Sequence, residues 1–176
     1  PVPVADVHSP PVVLQLGAIG RLKNQALTLE SLEHTPDLDL RIRLVGPVVD
    51  EEYAAGLQAR IDRLPPGRVS LEPPVAGSDR EAVLAGADLI LSVATRESYG
   101  LTVVEGLAHG IPALVGRGTG AEEALAAGGG WPGRAVATDD SAELASALRE
   151  FTSDPSTRQA WRAAALAARP HVPDWS

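Results

Sequence analysis

The sequence predicts an α/β fold: a parallel sheet of about six strands with helices on both faces, a three-layer sandwich. Three observations predict it. Short apolar runs alternate with longer helix-like runs along most of the chain, as parallel strands joined by right-handed crossovers require. The length, 176 residues, is one domain's worth and can bury a substantial core. The composition is globular, with 44% hydrophobic and 22% charged residues.

The elements follow in chain order. Residues 1–11 are proline-rich and read as a linker. A domain is expected over 12–168, with strands at 12–17, 40–45, 68–72, 88–93, 112–115 and 134–137. Helices are expected near 24–34, 50–63, 79–87, 101–109, 121–127, 141–152 and 155–168. Asp50-Glu51-Glu52 places acidic residues where a helix start favours them. Ser78 with Glu81 and Asp140 with Glu143 have capping-box spacing, and Asp154-Pro155 sets an N-cap before a first-turn proline. Gly128 to Gly133 reads as a loop, and 169–176 as an extended tail. Ligands of such sheets bind beyond the carboxyl ends of the strands, where Gly17, Gly46, Val75, Glu97 and Gly118 fall.

Charge and composition exclude several functions. A net charge of −8 argues against a broad nucleic-acid or anionic-membrane surface. Without cysteine there is no disulfide, thiolate metal site or thiol chemistry. No run approaches the ~18 apolar residues of a membrane span and no leader is visible, so the expectation is a cytoplasmic protein. The chain contains no methionine, which suggests a piece cut from a longer polypeptide.

The most informative segment is Glu97-Ser98-Tyr99-Gly100-Leu101-Thr102-Val103-Val104-Glu105. A strand, a glycine turn and a helix start leave helix N–H groups facing open space, a ready anion site. Glu105 lies roughly 40° from Leu101 and 60° from Ala108 on the helix, inside an otherwise apolar arc. Its side chain leans toward the helix start, where a carboxylate could accept from both hydroxyls of a ribose. A solvated glutamate on a helix edge is the plain alternative, and spacing leaves both open.

These residues resemble the signature of retaining glycosyltransferases of the GT-B architecture, in particular the family-4 group with its E-x7-E motif. The family pattern runs P-S-x-x-E-G-[FY]-G-L-x-x-x-E-A-x-A-x-G-x-P, then a Gly-Gly-x-Pro-Glu turn. Ser92, Glu97 to Leu101, Glu105-Gly-Leu-Ala-His-Gly110 and Pro112 follow it. Leu91, Ser98, Gly106 and Glu122 depart from it, mildly. Upstream, Val13 to Asn24 resembles the family's strand, glycine loop and Lys-Asn helix start, and Val69 to Val75 the segment whose backbone reads the base. The likeness covers most of residues 11–165.

The resemblance implies a Rossmann-like domain, one half of a GT-B fold, that holds a nucleotide diphosphate sugar such as a UDP- or GDP-sugar. It implies that Glu97, the catalytic candidate, holds a donor-sugar hydroxyl. Ser98, Tyr99, Gly100, Leu101 and Thr102, with Gly17, would surround sugar and phosphate. Lys23 would neutralise the pyrophosphate, with Arg21 standing in for a family arginine whose place Ala18 takes. Glu105 would bind the ribose and the Val75 backbone the base. No cofactor and no metal are expected. The N-terminal acceptor domain would be the partner, no nucleic acid is expected, and the parent enzyme could associate peripherally with membrane. The fragment alone would bind donor without turnover.

Other readings compete. Gly116-x-Gly118-x-x-Ala121, with Asp139 some 20 residues on, outlines a dinucleotide fingerprint. Against it, Glu122 puts negative charge where pyrophosphate would lie, and Gly128 ends the helix early. A stand-alone NAD-binding or other binding module, or half of a sugar-nucleotide epimerase, are the alternatives. His109 reads as a helix C-terminal residue rather than a base, His34 and His171 as solvated, and Trp131 as a loop cover.

Overall fold

The computed structural model describes residues 8–127 and 129–171. Six strands form one parallel sheet: β1 (Val12–Leu16), β2 (Arg41–Val45), β3 (Val69–Glu72), β4 (Leu89–Ser92), β5 (Ala113–Gly116) and β6 (Gly133–Val136). Among the described residues seven α-helices connect and cover them: α1 (Gln25–Glu33), α2 (Glu51–Ile61), α3 (Gly77–Ala85), α4 (Leu101–Ala108), α5 (Gly120–Ala127), α6 (Ser141–Ser153) and α7 (Pro155–Ala168). Every predicted element is present, with ends displaced by a residue or two.

The layering follows from strand geometry, which sends successive side chains to opposite faces. Val13, Leu89, Leu91 and Leu114 pack with α1, α2 and α6, through residues such as Leu32, Leu57 and Phe151. Leu14, Ile90, Ala113 and Val115 pack with α3, α4, α5 and α7, through Leu84, Val103, Leu107, Leu125 and Ala165. Both faces are covered, so β1, β4 and β5 are nearly apolar throughout. Phe151 of α6 stacks on Trp161 of α7 at 5.9 Å between ring centroids.

Three of the expected helix starts hold. Asp50 caps α2 by accepting from Tyr53 N–H, with Glu51 and Glu52 in its first turn. Asp140 accepts from the N–H groups of Ala142 and Glu143, and Asp154 from that of Ser156. Glu143 does not close a box; it accepts from Ala137 N–H and pairs with Arg117. The Ser78 cap is corrected: α3 begins at Gly77 with Ala76 as N-cap and no side-chain cap. Glu81 turns instead to His109, which follows α4.

The stretch expected to be a linker is fastened where it is described. The buried Asp88 carboxylate accepts from the N–H groups of His8 and Val12 and contacts the His8 ring at 3.0 Å. Residues 1–7 lie outside the described residues. Of the expected extended tail, Arg169–His171 form a 3-10 turn, and 172–176 are likewise outside.

The Asp154 cap carries a pH signature. Hydrogen bonds from Ser156 and Thr157 lower its carboxyl from 3.8 to about 2. A depressed carboxyl pKa stabilises fully above the unfolded value and is lost as pH falls through the folded one. Replacing Asp154 with Ala should therefore lower Tm by a few degrees at pH 7. The difference between the two proteins, read by thermal melts, should vanish as pH drops from about 4 toward about 2.

Candidate functional site

The sheet order is β3-β2-β1-β4-β5-β6. It reverses at β1, so the loops after β1 and β4 leave in opposite directions and open a crevice at the strand tips. Gly17, Lys23, Ser92, Ala94 and Thr102 line a small cleft there.

The loop after β1 is held from inside by side-chain amides. Gln15, 4% exposed, donates to the Lys23 carbonyl at 2.7 Å and accepts from the Thr28 hydroxyl at 2.8 Å. Buried Gln25 donates to the Ala18 carbonyl at 2.9 Å. Asn24, in the left-handed region at φ 60°, donates to the carbonyls of Val93 and Thr138 at 3.2 and 2.8 Å. These bonds fix the 3-10 turn Arg21–Lys23. Sequence reading missed Gln15 and Gln25; the available signal was a polar residue inside the run Val13-Leu14-Gln15-Leu16.

Lys23 and Glu97 are brought together. Lys23 Nζ donates to Glu97 Oε2 at 2.7 Å, and the Glu97 side chain is only 17% exposed. Glu97 Oε1 accepts from the N–H groups of Tyr99 and Gly100, each at 3.4 Å. Burial pushes the Glu97 carboxyl up, but Lys23 and the two amides outweigh it and hold it below the usual carboxylate value.

Behind Glu97 the loop Ser98–Gly100 lies directly on the start of α5. A Cβ on Gly100 would come within 2.7 Å of Ala121 Cα, and one on Gly120 would collide with the Ser98 carbonyl. Gly120 N–H donates to the Glu97 carbonyl at 2.7 Å. Gly100, at φ 61°, opens α4. In the first turn of α4 the Leu101 and Thr102 N–H groups have no acceptor among the described residues. The Thr102 hydroxyl donates to the Leu16 carbonyl at 3.4 Å, tying α4 to the tip of β1. The Tyr99 ring is 77% exposed.

Glu105 stands one turn further along α4 and is half-buried. Its two oxygens are held by Arg80 of α3, Nε at 3.1 Å and Nη2 at 2.6 Å. Sequence reading missed Arg80, because no local spacing connects residues 25 apart. Val75 is half-buried just before α3, against the second core layer. Arg21 is not joined to the Lys23–Glu97 pair. Its Nε donates to Asp50 Oδ2 at 3.1 Å, with the guanidinium 5.6 Å from the Tyr53 ring centroid.

The remaining candidates resolve locally. Glu122 accepts from Gly118 N–H at 2.6 Å, so a carboxylate already occupies the amide that a dinucleotide fingerprint would offer to pyrophosphate. His109 follows α4 as its C-cap, its ring nitrogens against the Glu105 carbonyl and Glu81. His34, His171 and Trp131 are exposed. Gly106, where the resembled pattern has alanine, faces Ile90: an added Cβ would come within 2.5 Å of Ile90 Cγ1. Among the described residues there is no cluster of three metal-ligating side chains and no helix long and apolar enough to cross a membrane.

Comparison with known proteins gives a consistent set. The family model "Glycosyl transferases group 1" matches residues 4–167. A D-inositol 3-phosphate glycosyltransferase of Pseudarthrobacter chlorophenolicus is 28% identical over 162 residues, covering 89% of this chain and 38% of the relative. D-inositol 3-phosphate glycosyltransferase 1 of Catenulispora acidiphila is 31% identical over 170 residues, covering 90% and 40%. The chain thus spans about two fifths of the length of these curated relatives. In structure it is similar to Anabaena Alr3699/HepE in complex with UDP and glucose, with TM-score 0.76, 24% identity and coverage of 90% and 42%. It is also similar to the C-terminal domain of a group 1 glycosyl transferase, LpcC, from Francisella tularensis, with TM-score 0.71, 17% identity and coverage of 92% and 84%.

Proposed function

The chain belongs to the group 1 glycosyl transferases, and on that premise we propose that it is the donor-binding half of a retaining hexosyltransferase. The observation that carries this reading is the Lys23–Glu97 pair at the reversal of strand order, beside the open first turn of α4. The substrate is a nucleotide diphosphate sugar. Glu97, kept ionised, accepts a hydroxyl of the sugar. The Leu101 and Thr102 amides and Lys23 face the diphosphate, Glu105 the ribose, and the Val75 backbone the base.

The chemistry follows from charge. As the anomeric C–O bond breaks, its electron pair leaves with the diphosphate, and negative charge grows where Lys23 and the helix opening stand. Preorganised donors at such a position supply several kcal/mol, so no metal is invoked. The acceptor is held by an N-terminal domain of the same polypeptide; its hydroxyl oxygen bonds to the anomeric carbon on the face the diphosphate leaves, and its proton passes to the departing diphosphate. The whole enzyme works in the cytoplasm or against its membrane face. Alone, this half binds donor without turnover. The Anabaena neighbour is described with UDP and glucose, which supports a UDP-sugar.

Calorimetry with UDP, GDP, ADP and NAD tests the reading. Binding of at least one diphosphate at sub-millimolar concentration is expected. No heat from any diphosphate at millimolar concentration, or tight binding of NAD alone, would overturn it.

A further inference from the structure

We propose that Arg80 is a positioning residue that presents Glu105 to the nucleotide ribose, an inference that rests on the nucleoside role of Glu105 stated above. The geometry is a fork: Nε to Oε1 at 3.1 Å and Nη2 to Oε2 at 2.6 Å. A two-pronged guanidinium fixes the plane of the carboxylate as well as its place. Each oxygen gives the fork one lone pair and keeps another, so two acceptors remain for the two hydroxyls of a ribose.

Charge points the same way. Glu105 is the one charged residue of α4, and a bare carboxylate next to a bound diphosphate would repel it. Arg80 cancels that repulsion without removing the acceptors. Its own helix is placed by a second tie, since neighbouring Glu81 contacts His109 Nε2 at 2.9 Å, while His109 Nδ1 donates to the Glu105 carbonyl at 2.9 Å. Two successive residues of α3 therefore clasp Glu105 of α4 and the C-cap His109, which stand one turn apart. Arg80 and Glu105 are each about one third exposed, and ion pairs of that exposure contribute little to stability. A purely structural role would leave nucleotide selectivity untouched.

Sugar selectivity is therefore the readout. Affinities for UDP and 2′-deoxy-UDP, or the corresponding pair for whichever base binds best, are measured by calorimetry. The proteins are the unaltered chain, Arg80→Ala, Arg80→Lys and Glu105→Ala. The unaltered chain should prefer the ribose form about tenfold. Glu105→Ala and Arg80→Ala should each bring that preference to within about twofold, with melting temperatures close to the original. Arg80→Lys, which keeps the charge and loses the fork, should also stay low. An unchanged preference in both Arg80 variants, with Glu105→Ala collapsed, overturns the role of Arg80 and leaves the ribose reading intact. An unchanged preference in Glu105→Ala overturns the ribose reading itself. If Arg80→Ala does not fold, Arg80→Lys decides: a preserved preference overturns the proposal.

Discussion

Replacing Lys23 with alanine should weaken binding of a nucleoside diphosphate about 10- to 100-fold. Hydrogen bonds to charged groups contribute about 1.5–3 kcal/mol, which is that range in affinity. Replacing Glu97 with glutamine should act in the opposite sense on the same ligand. The Lys23 ammonium is satisfied by Glu97 at 2.7 Å. An incoming diphosphate has to share or displace that partner, so its removal leaves affinity for the bare diphosphate equal or a few-fold tighter. The sugar is where Glu97→Gln should lose: any extra affinity of a UDP-sugar over UDP should disappear. Turnover in the enzyme that contains this domain should fall about 100-fold or more. Calorimetry with UDP and UDP-glucose reads the first two effects. Original UDP affinity in Lys23→Ala would remove Lys23 from the phosphate site. Parallel losses of UDP affinity in both variants would mean that the pair merely holds the loop.

The second large effect is steric. Gly120→Ala should destabilise the domain by about 3 kcal/mol, the upper range for an atom forced into a packed interior. The added Cβ meets the Ser98 carbonyl and sits 2.8 Å from the Tyr99 nitrogen. Both are backbone atoms, which cannot rotate away as a side chain would. Alanine is the better helix former by up to about 1 kcal/mol, so any loss appears against an opposing propensity. The displaced loop also carries the Tyr99 and Gly100 amides that face Glu97. Diphosphate affinity should therefore fall along with the denaturation midpoint. A variant with the original midpoint would show that loop and helix do not touch in solution.

Much of this was legible in the sequence, for identifiable reasons. Strands such as Leu89–Ser92 and Ala113–Gly116 are buried on both faces, so their apolar runs are continuous and their ends are marked by glycine, proline or a polar residue. Asp140 and Asp154 announced α6 and α7 because an N-cap is a local interaction. Ser78 misled because its box partner Glu81 is engaged across the fold, and local spacing cannot reveal that competition. Glu97 and Glu105 stood out by motif and by an apolar arc. Arg80 did not, since only the folded arrangement of α3 beside α4 brings it to Glu105. Arg21 was legible as a cation near Lys23 and illegible in direction: Asp50, 29 residues away, draws it outward.

Gln15 is almost wholly buried, yet its amide sets the carbonyl of the residue whose ammonium faces the crevice. Ligand affinity in this domain is thereby adjustable from its interior. A Gln15→Met change, close in length but without the amide, would leave the exposed residues as they were and still let the turn around Lys23 drift, so the grip on a phosphate can evolve without any visible alteration of the surface that exerts it.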